Sequence, residues 1–150
     1  MDPLLNKLNY KDQDPVVVLN APPEFAPAMK EFARTVTVFS EPTKTKGCTY
    51  AIAFVTTQAQ VNMAAKALDK VLEGDAILWM CYPKGTSKRY SCDFNRDTGW
   101  QPLGDQGFEP VRQVAIDADW SALRFRRVQY IKKLTRNFAM TEEGKRKAGR

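Results

Sequence analysis

Runs of apolar residues at strand length alternate along this chain with segments in which apolar residues recur every three or four positions. Val16-Val17-Val18-Leu19 is unbroken and rich in β-branched residues, as expected of a strand buried on both faces. Thr35-Val36-Thr37-Val38-Phe39 alternates and predicts a second, more exposed strand. Tyr50-Ala51-Ile52-Ala53-Phe54-Val55 predicts a third, its alanines leaving room for a closely packed helix. The most hydrophobic stretch, Ala76-Ile77-Leu78-Trp79-Met80-Cys81-Tyr82, predicts the centre of a sheet and empties into the basic loop Pro83-Lys84-Gly85-Thr86-Ser87-Lys88-Arg89.

The intervening segments read as helices. Leu4, Leu5 and Leu8 share one face of a short helix within residues 3–10. Phe25, Met29 and Phe32 line a helix over 23–34, where Pro22 and Pro23 suit the first turn and Glu24 suits the positive end of the dipole. Val61, Ala64, Ala65, Leu68 and Leu72 form the stripe of a helix over 58–73, capped by Thr56 or Thr57 and stopped by Gly74. Residues 40–48, with Pro42 and Gly47, read as a loop, and 93–103 as a weaker helix interrupted by Gly99 and Pro102.

Past that point the pattern changes. Residues 109–117 and 123–128 each alternate large and polar side chains, and the link between them is too short for a parallel crossover, so they form an antiparallel hairpin. Gln129 to Asn137 continues as a strand end or short helix, and Thr141 to Arg150, charged and without an apolar anchor, is expected to be mobile. Strands alternating with helices give a single-domain α/β fold: a three-layer, Rossmann-like, mainly parallel sheet ending in an antiparallel hairpin. The expected division is an N-terminal helix and turn (1–15), the α/β domain (16–128) and a basic extension (129–150).

Composition narrows the chemistry. At 150 residues the chain is about one domain's worth. No apolar run approaches the roughly 18 residues that span a bilayer, and the first residues lack a long apolar core behind a basic start, so no membrane contact and a cytoplasmic location are expected. There is no histidine, which excludes His-dependent triads and a His general base. Three cysteines without a CxxC pairing argue against a disulfide framework or a zinc site. The net charge of +6 is uneven: residues 124–150 carry 10 basic against 2 acidic side chains, and the remainder is slightly acidic.

Two resemblances follow. A parallel sheet finishing with a short helix and an antiparallel hairpin resembles the C-terminal half of the class I methyltransferase fold, although Asn20-Ala21-Pro22-Pro23-Glu24-Phe25 has no glycine where those enzymes place a Gly-rich turn. Asn20-Ala21-Pro22, Trp79 with Pro83-Lys84, Asp93-Phe94-Asn95-Arg96-Asp97, and Trp120-Ser121-Ala122-Leu123-Arg124-Phe125 together resemble a family of small bacterial proteins with this layout, over about residues 16–127. That resemblance implies a fold and no activity.

Ligands of open parallel sheets bind beyond the carboxyl ends of the strands. At that edge Lys84, Thr86, Ser87, Lys88, Arg89 and Asn20 are candidates for holding a phosphate or carboxylate, set against the plainer reading of a solvated loop. Asp93, Arg96 and Asp97 read as a cap or ion pair rather than an acid–base pair. Trp120 reads as core, or as a stacking surface beside Asp117 and Asp119, and Cys81 as inert. Cys92, near basic residues but with no partner base, is a weak nucleophile candidate. Arg124, Arg126, Arg127, Lys132, Lys133 and Arg136, interleaved with Phe125, Tyr130 and Phe138, are candidates for a nucleic-acid backbone.

No catalytic constellation is legible and no cofactor is named by the sequence. The expected function is a non-catalytic cytoplasmic binding module for an anionic partner, with nucleic acid a candidate through the basic extension. One alternative is a divergent cofactor- or nucleotide-dependent transferase, methyltransferase-like, with its site at the carboxyl ends of the strands. Another is a protein–protein adaptor using the exposed edge of the hairpin.

Overall fold

The computed structural model describes residues 3–41, 46–95 and 97–131. Its elements in chain order are α1 (Pro3–Lys7), β1 (Val16–Leu19), α2 (Ala26–Ala33), β2 (Val38–Phe39), β3 (Cys48–Phe54), α3 (Gln58–Asp69), β4 (Leu72–Pro83), α4 (Gln101–Asp105), β5 (Phe108–Ala115) and β6 (Trp120–Arg127). They build one six-stranded sheet in the order β2-β1-β3-β4-β6-β5. The first four of these are mutually parallel, and β6 joins β4 and β5 antiparallel. The result is the expected Rossmann-like α/β fold, mainly parallel with an antiparallel end.

The two helical layers follow from the apolar stripes. Ala28 and Phe32 of α2, with Phe25 before it, bury against Val16, Val18, Ile52, Phe54 and Trp79 on one face. Val61, Ala64, Ala65 and Leu68 of α3 bury against Val17, Ala51, Ala53, Leu78 and Met80 on the other. Alternate residues of β1, β3 and β4 therefore feed opposite cores, which is why these strands read as continuous apolar runs. Because α2 and α3 lie on opposite faces, the strand order reverses between β1 and β3. Their carboxyl ends mark the switch point.

Several boundaries differ from the sequence expectation for local reasons. The 23–34 helix is a 3-10 turn (Pro23–Phe25) followed by α2, since Pro27 sits in the first turn of the helix proper. The 35–39 strand shrinks to Val38–Phe39 because the amides of Thr35 and Val36 bond back to Phe32 O and close the preceding helix. Gly74 does not cap α3. The helix ends at Asp69, Cys48 N bonds Val71 O to start the next strand, and Gly74 (φ 60°) lies inside β4 beside an irregularity in its pairing with β3. The weak 93–103 helix is reduced to α4.

α3 starts with a reciprocal cap. Thr57 Oγ1 accepts from Gln60 N at 3.1 Å, and Gln60 Oε1 accepts from Thr57 N at 3.3 Å and Thr56 N at 2.7 Å. The hairpin strands are β5 and β6, with β6 inside the sheet and β5 at its edge. Trp120 is therefore buried at the start of β6 rather than displayed on a turn. After β6 a 3-10 turn covers Val128–Tyr130, and the expected mobile end at 141–150 lies outside the described residues.

Candidate functional site at the carboxyl ends of the strands

The turn after β1 sets the geometry of this edge. Asn20 stands in the left-handed region at φ 58°, one of the few non-glycine residues that adopt it readily. Its Nδ2 donates to Phe54 O at 3.1 Å, joining the ends of β1 and β3 at the switch point. Helix N-termini in such turns bind phosphate through backbone N–H groups. Here Pro22 and Pro23 supply none, and the next side chain, Glu24, brings a negative charge.

On the α3 side of this turn lies a cleft of about 390 Å³ lined by Leu19, Asn20, Ser40, Glu41, Gln60, Met63, Ala64 and Ala67. Its floor is apolar and its rim polar. Met63 is 72% exposed, out of phase with the buried stripe of α3, and Glu41 stands just past the end of β2. Neither residue was picked out from the sequence. The available signal was the position of Glu41, about 20 residues beyond the β1 turn, where nucleoside-binding sheets place an acid against the ribose.

The basic loop after β4 is arranged against carboxylates of the chain itself. Ser87 Oγ donates to Asp119 Oδ1 at 2.8 Å, and the Arg89 guanidinium sits 3.8 Å from both Glu24 and Asp119. Tyr90 OH and Trp120 Nε1 donate to the two oxygens of Glu24, at 3.1 and 2.9 Å. Burial alone would raise the Glu24 carboxyl. The hydrogen bonds from Trp120, its own backbone amide and Tyr90, with the charge of Arg89, outweigh that and hold it below the ordinary range. Burial, and then the bond to Glu24, push the Tyr90 hydroxyl up.

Of the predicted anion-binding residues, Lys84 is half-buried while Thr86 and Lys88 are exposed. Asn20 belongs to the cleft instead, and the contacts of Ser87 and Arg89 run to Glu24 and Asp119. Asp93 caps α3 from outside: its Oδ1 accepts from Gln58 N at 2.7 Å. Arg96 lies outside the described residues. Cys81 is fully buried and its thiol is pushed well up by burial; Cys92 is half-buried, its Sγ 3.7 Å from Phe94 O.

The arginines of the predicted nucleic-acid set are divided between the sheet faces. Arg126 makes a two-pronged pair with Asp75, at 2.8 and 2.6 Å, and Arg124 Nη1 donates to Asn9 Oδ1 at 3.3 Å. Arg127 points the other way, 3.3 Å from Asp69 and over the ring of Phe108. Lys132, Lys133 and Arg136 lie outside the described residues.

No family model matches the chain, and no curated protein matches it either. Solved structures do. A putative type 11 methyltransferase from Sulfolobus solfataricus aligns with 84% of this chain and 90% of its own at a TM-score of 0.52 and 11% identity. The sheet has the methyltransferase-type Rossmann-like fold. The pyocyanin biosynthetic protein PhzM aligns at TM-score 0.53 and 10% identity over 83% of this chain, and the Methanococcus jannaschii fibrillarin pre-rRNA processing protein at 0.48 and 10% over 73%. The chain spans about half the length of these last two, 53% and 54%. Within the methyltransferase-type fold, the cleft beside Asn20 and Glu41 occupies the switch point. Among the described residues no helix is long and apolar enough to cross a membrane, and no cluster of acids and cysteines is arranged for a metal ion.

Proposed function

We propose that the chain is a divergent methyltransferase-like domain that holds a nucleoside-type cofactor, of the S-adenosylmethionine class, in the cleft between β1, β2 and α3. The observation that carries this reading is Glu41 on the polar rim of a cleft with an apolar floor at the switch point, with Met63 left 72% exposed beside it. An adenine ring takes the apolar floor of Leu19, Met63, Ala64 and Ala67, and Glu41 accepts from the ribose hydroxyls.

The donor set suits a nucleoside without phosphates. Pro22 and Pro23 remove backbone donors from the turn, and Glu24 repels a second anion there. When bound, such a cofactor supplies an electrophilic methyl group. The chain's own residues position it: Asn20 fixes the turn across the two strand ends, and α3 excludes water from one side of the base. Anion binding by the basic loop has less support, since that loop already directs Arg89 and Ser87 at two carboxylates.

Titration calorimetry with S-adenosylmethionine and S-adenosylhomocysteine tests this. Binding in the micromolar range is expected, weakened about tenfold by Glu41→Gln through loss of a charged acceptor. Absence of heat and of any thermal shift with both compounds at millimolar concentration would overturn it.

A further inference from the structure

A second site lies on the sheet face that carries α1, among side chains of β5 and β6. Arg112 of β5 is directly opposite Arg124 of β6 in the antiparallel register, so both guanidinium stems leave the same face, and Arg126 stands two residues on. Like charges in such a pair are destabilising unless something intervenes. Two acids flank this group: Asp75, taken in two-pronged fashion by Arg126, and Glu109 of β5, buried and directly opposite Arg126 in the register. Arg124 spends Nη1 on Asn9 Oδ1 at 3.3 Å, while its Nε is buried without a hydrogen-bond partner among the described residues. Arg112 is exposed and its side chain makes no hydrogen bond or ion pair among the described residues.

We propose that Arg112 and Arg124, flanked by Arg126, form a seat for a phosphate-type oxyanion. Asp75 and Glu109 both lie beside Arg126, so the facing pair Arg112 and Arg124 keeps positive charge that an oxyanion offsets, and a tetrahedral oxyanion offers enough acceptors to bridge two planar donor forks. Burial, then the charge of Arg126 and that of Arg112, lower the pKa of Arg124 against the opposing effect of Asp75. The seat lies apart from the cofactor cleft, since Asp75 marks the amino end of β4 and the cleft opens at the carboxyl ends of the neighbouring strands. The anion is either a free phosphate or pyrophosphate, or a phosphate of a nucleic-acid backbone.

The experiment is a titration of the full chain followed through its arginine Nε–Hε resonances, with inorganic pyrophosphate in one arm and a single-stranded oligonucleotide in the other. The Arg124 signal is expected to move on binding. Arg112→Gln, at an exposed position, should weaken binding about tenfold while Lys88→Gln leaves it within about twofold. In phosphate-free buffer Arg112→Gln is also expected to raise Tm, by relieving the repulsion across the strand pair. A response to pyrophosphate assigns a free anion, and a response to the oligonucleotide alone, lost in Arg112→Gln, assigns backbone phosphates. No movement of Arg124 in either arm, or equal weakening by the two variants, overturns the seat.

Discussion

Trp120 Nε1 donates to Glu24 Oε2 at 2.9 Å, across a gap in the sheet filled by β3 and β4. With Tyr90 OH on the other oxygen, Glu24 is the common acceptor that ties the β1 turn, the loop after β4 and the start of β6 together. Glu24→Ala leaves a buried indole N–H and a phenol without their acceptor, at a cost of about 1–3 kcal/mol. Glu24→Gln keeps one oxygen and costs less. Urea unfolding should show a lower midpoint with an unchanged slope, and a midpoint equal to that of the parent for Glu24→Ala would show that the network contributes nothing.

Acid should weaken the fold through the same group and through Asp75. Both carboxyls are held below their ordinary values, Glu24 by its hydrogen bonds and Arg89 against the opposing effect of burial, and Asp75 chiefly by the hydrogen bonds from Arg126. A depressed folded-state pKa contributes stability that is fully present above the unfolded value, about 4 for carboxylates, and is lost as pH falls through the folded one. Stability should therefore be flat near neutrality and decline below about pH 4. Glu24→Gln and Asp75→Asn should each make that decline shallower, and parallel acid limbs for parent and variants would exclude both groups as its source.

The layers of the fold were legible because each strand and helix carries its own period. Val16–Leu19 and Ala76–Tyr82 are apolar throughout because helices cover both faces, and that pattern survives in the sequence without tertiary information. The cleft was not legible. Glu41 and Met63 are distant in sequence and meet only because β2 and α3 converge on the switch point. The basic loop was overweighted for the opposite reason: its charges are visible locally, whereas Glu24 and Asp119, which face them, arrive from two other connections. Gly74 read as a helix stop because a positive φ serves a strand irregularity as well as a C-cap.

Asn20 combines two requirements that substitutions can separate. Asn20→Gly keeps the left-handed backbone accessible and loses only the bond to Phe54 O, for about 1 kcal/mol. Asn20→Ala loses the bond and is also strained at φ 58°, so it should be the more destabilising of the two. Thermal unfolding decides this, and Asn20→Ala equal to or more stable than Asn20→Gly would contradict the backbone argument.

The three cysteines should differ sharply in reactivity. Burial pushes the thiols of Cys48 and Cys81 up, and both lie in strands of the core. Cys92, in the loop before α4, is the half-buried one. A disulfide exchange reagent at pH 8 should therefore titrate one thiol in the native protein and three after denaturation. The fast thiol should disappear in Cys92→Ser. Rapid modification of more than one thiol in the folded chain would show that the core opens readily.

The N-terminal segment is expected to be indispensable, and one carbonyl explains why. Trp79 Nε1 and Tyr50 OH both donate to Leu8 O, at 2.7 and 2.8 Å, so a single backbone acceptor satisfies two large polar-tipped side chains of that core. Leu5 and Leu8 are at most 1% exposed, and burying each contributes about 1.5–3 kcal/mol. Removing residues 1–10 would expose that apolar face and take the acceptor from both donors, a loss comparable with the roughly 5–15 kcal/mol that holds a domain folded. The truncated chain should show no cooperative unfolding by tryptophan fluorescence. Tyr50→Phe, which removes one donor and leaves the carbonyl bonded to Trp79, should by contrast unfold cooperatively with a loss of about 1 kcal/mol. A truncated chain as stable as the parent would mean that this face is closed by something other than α1.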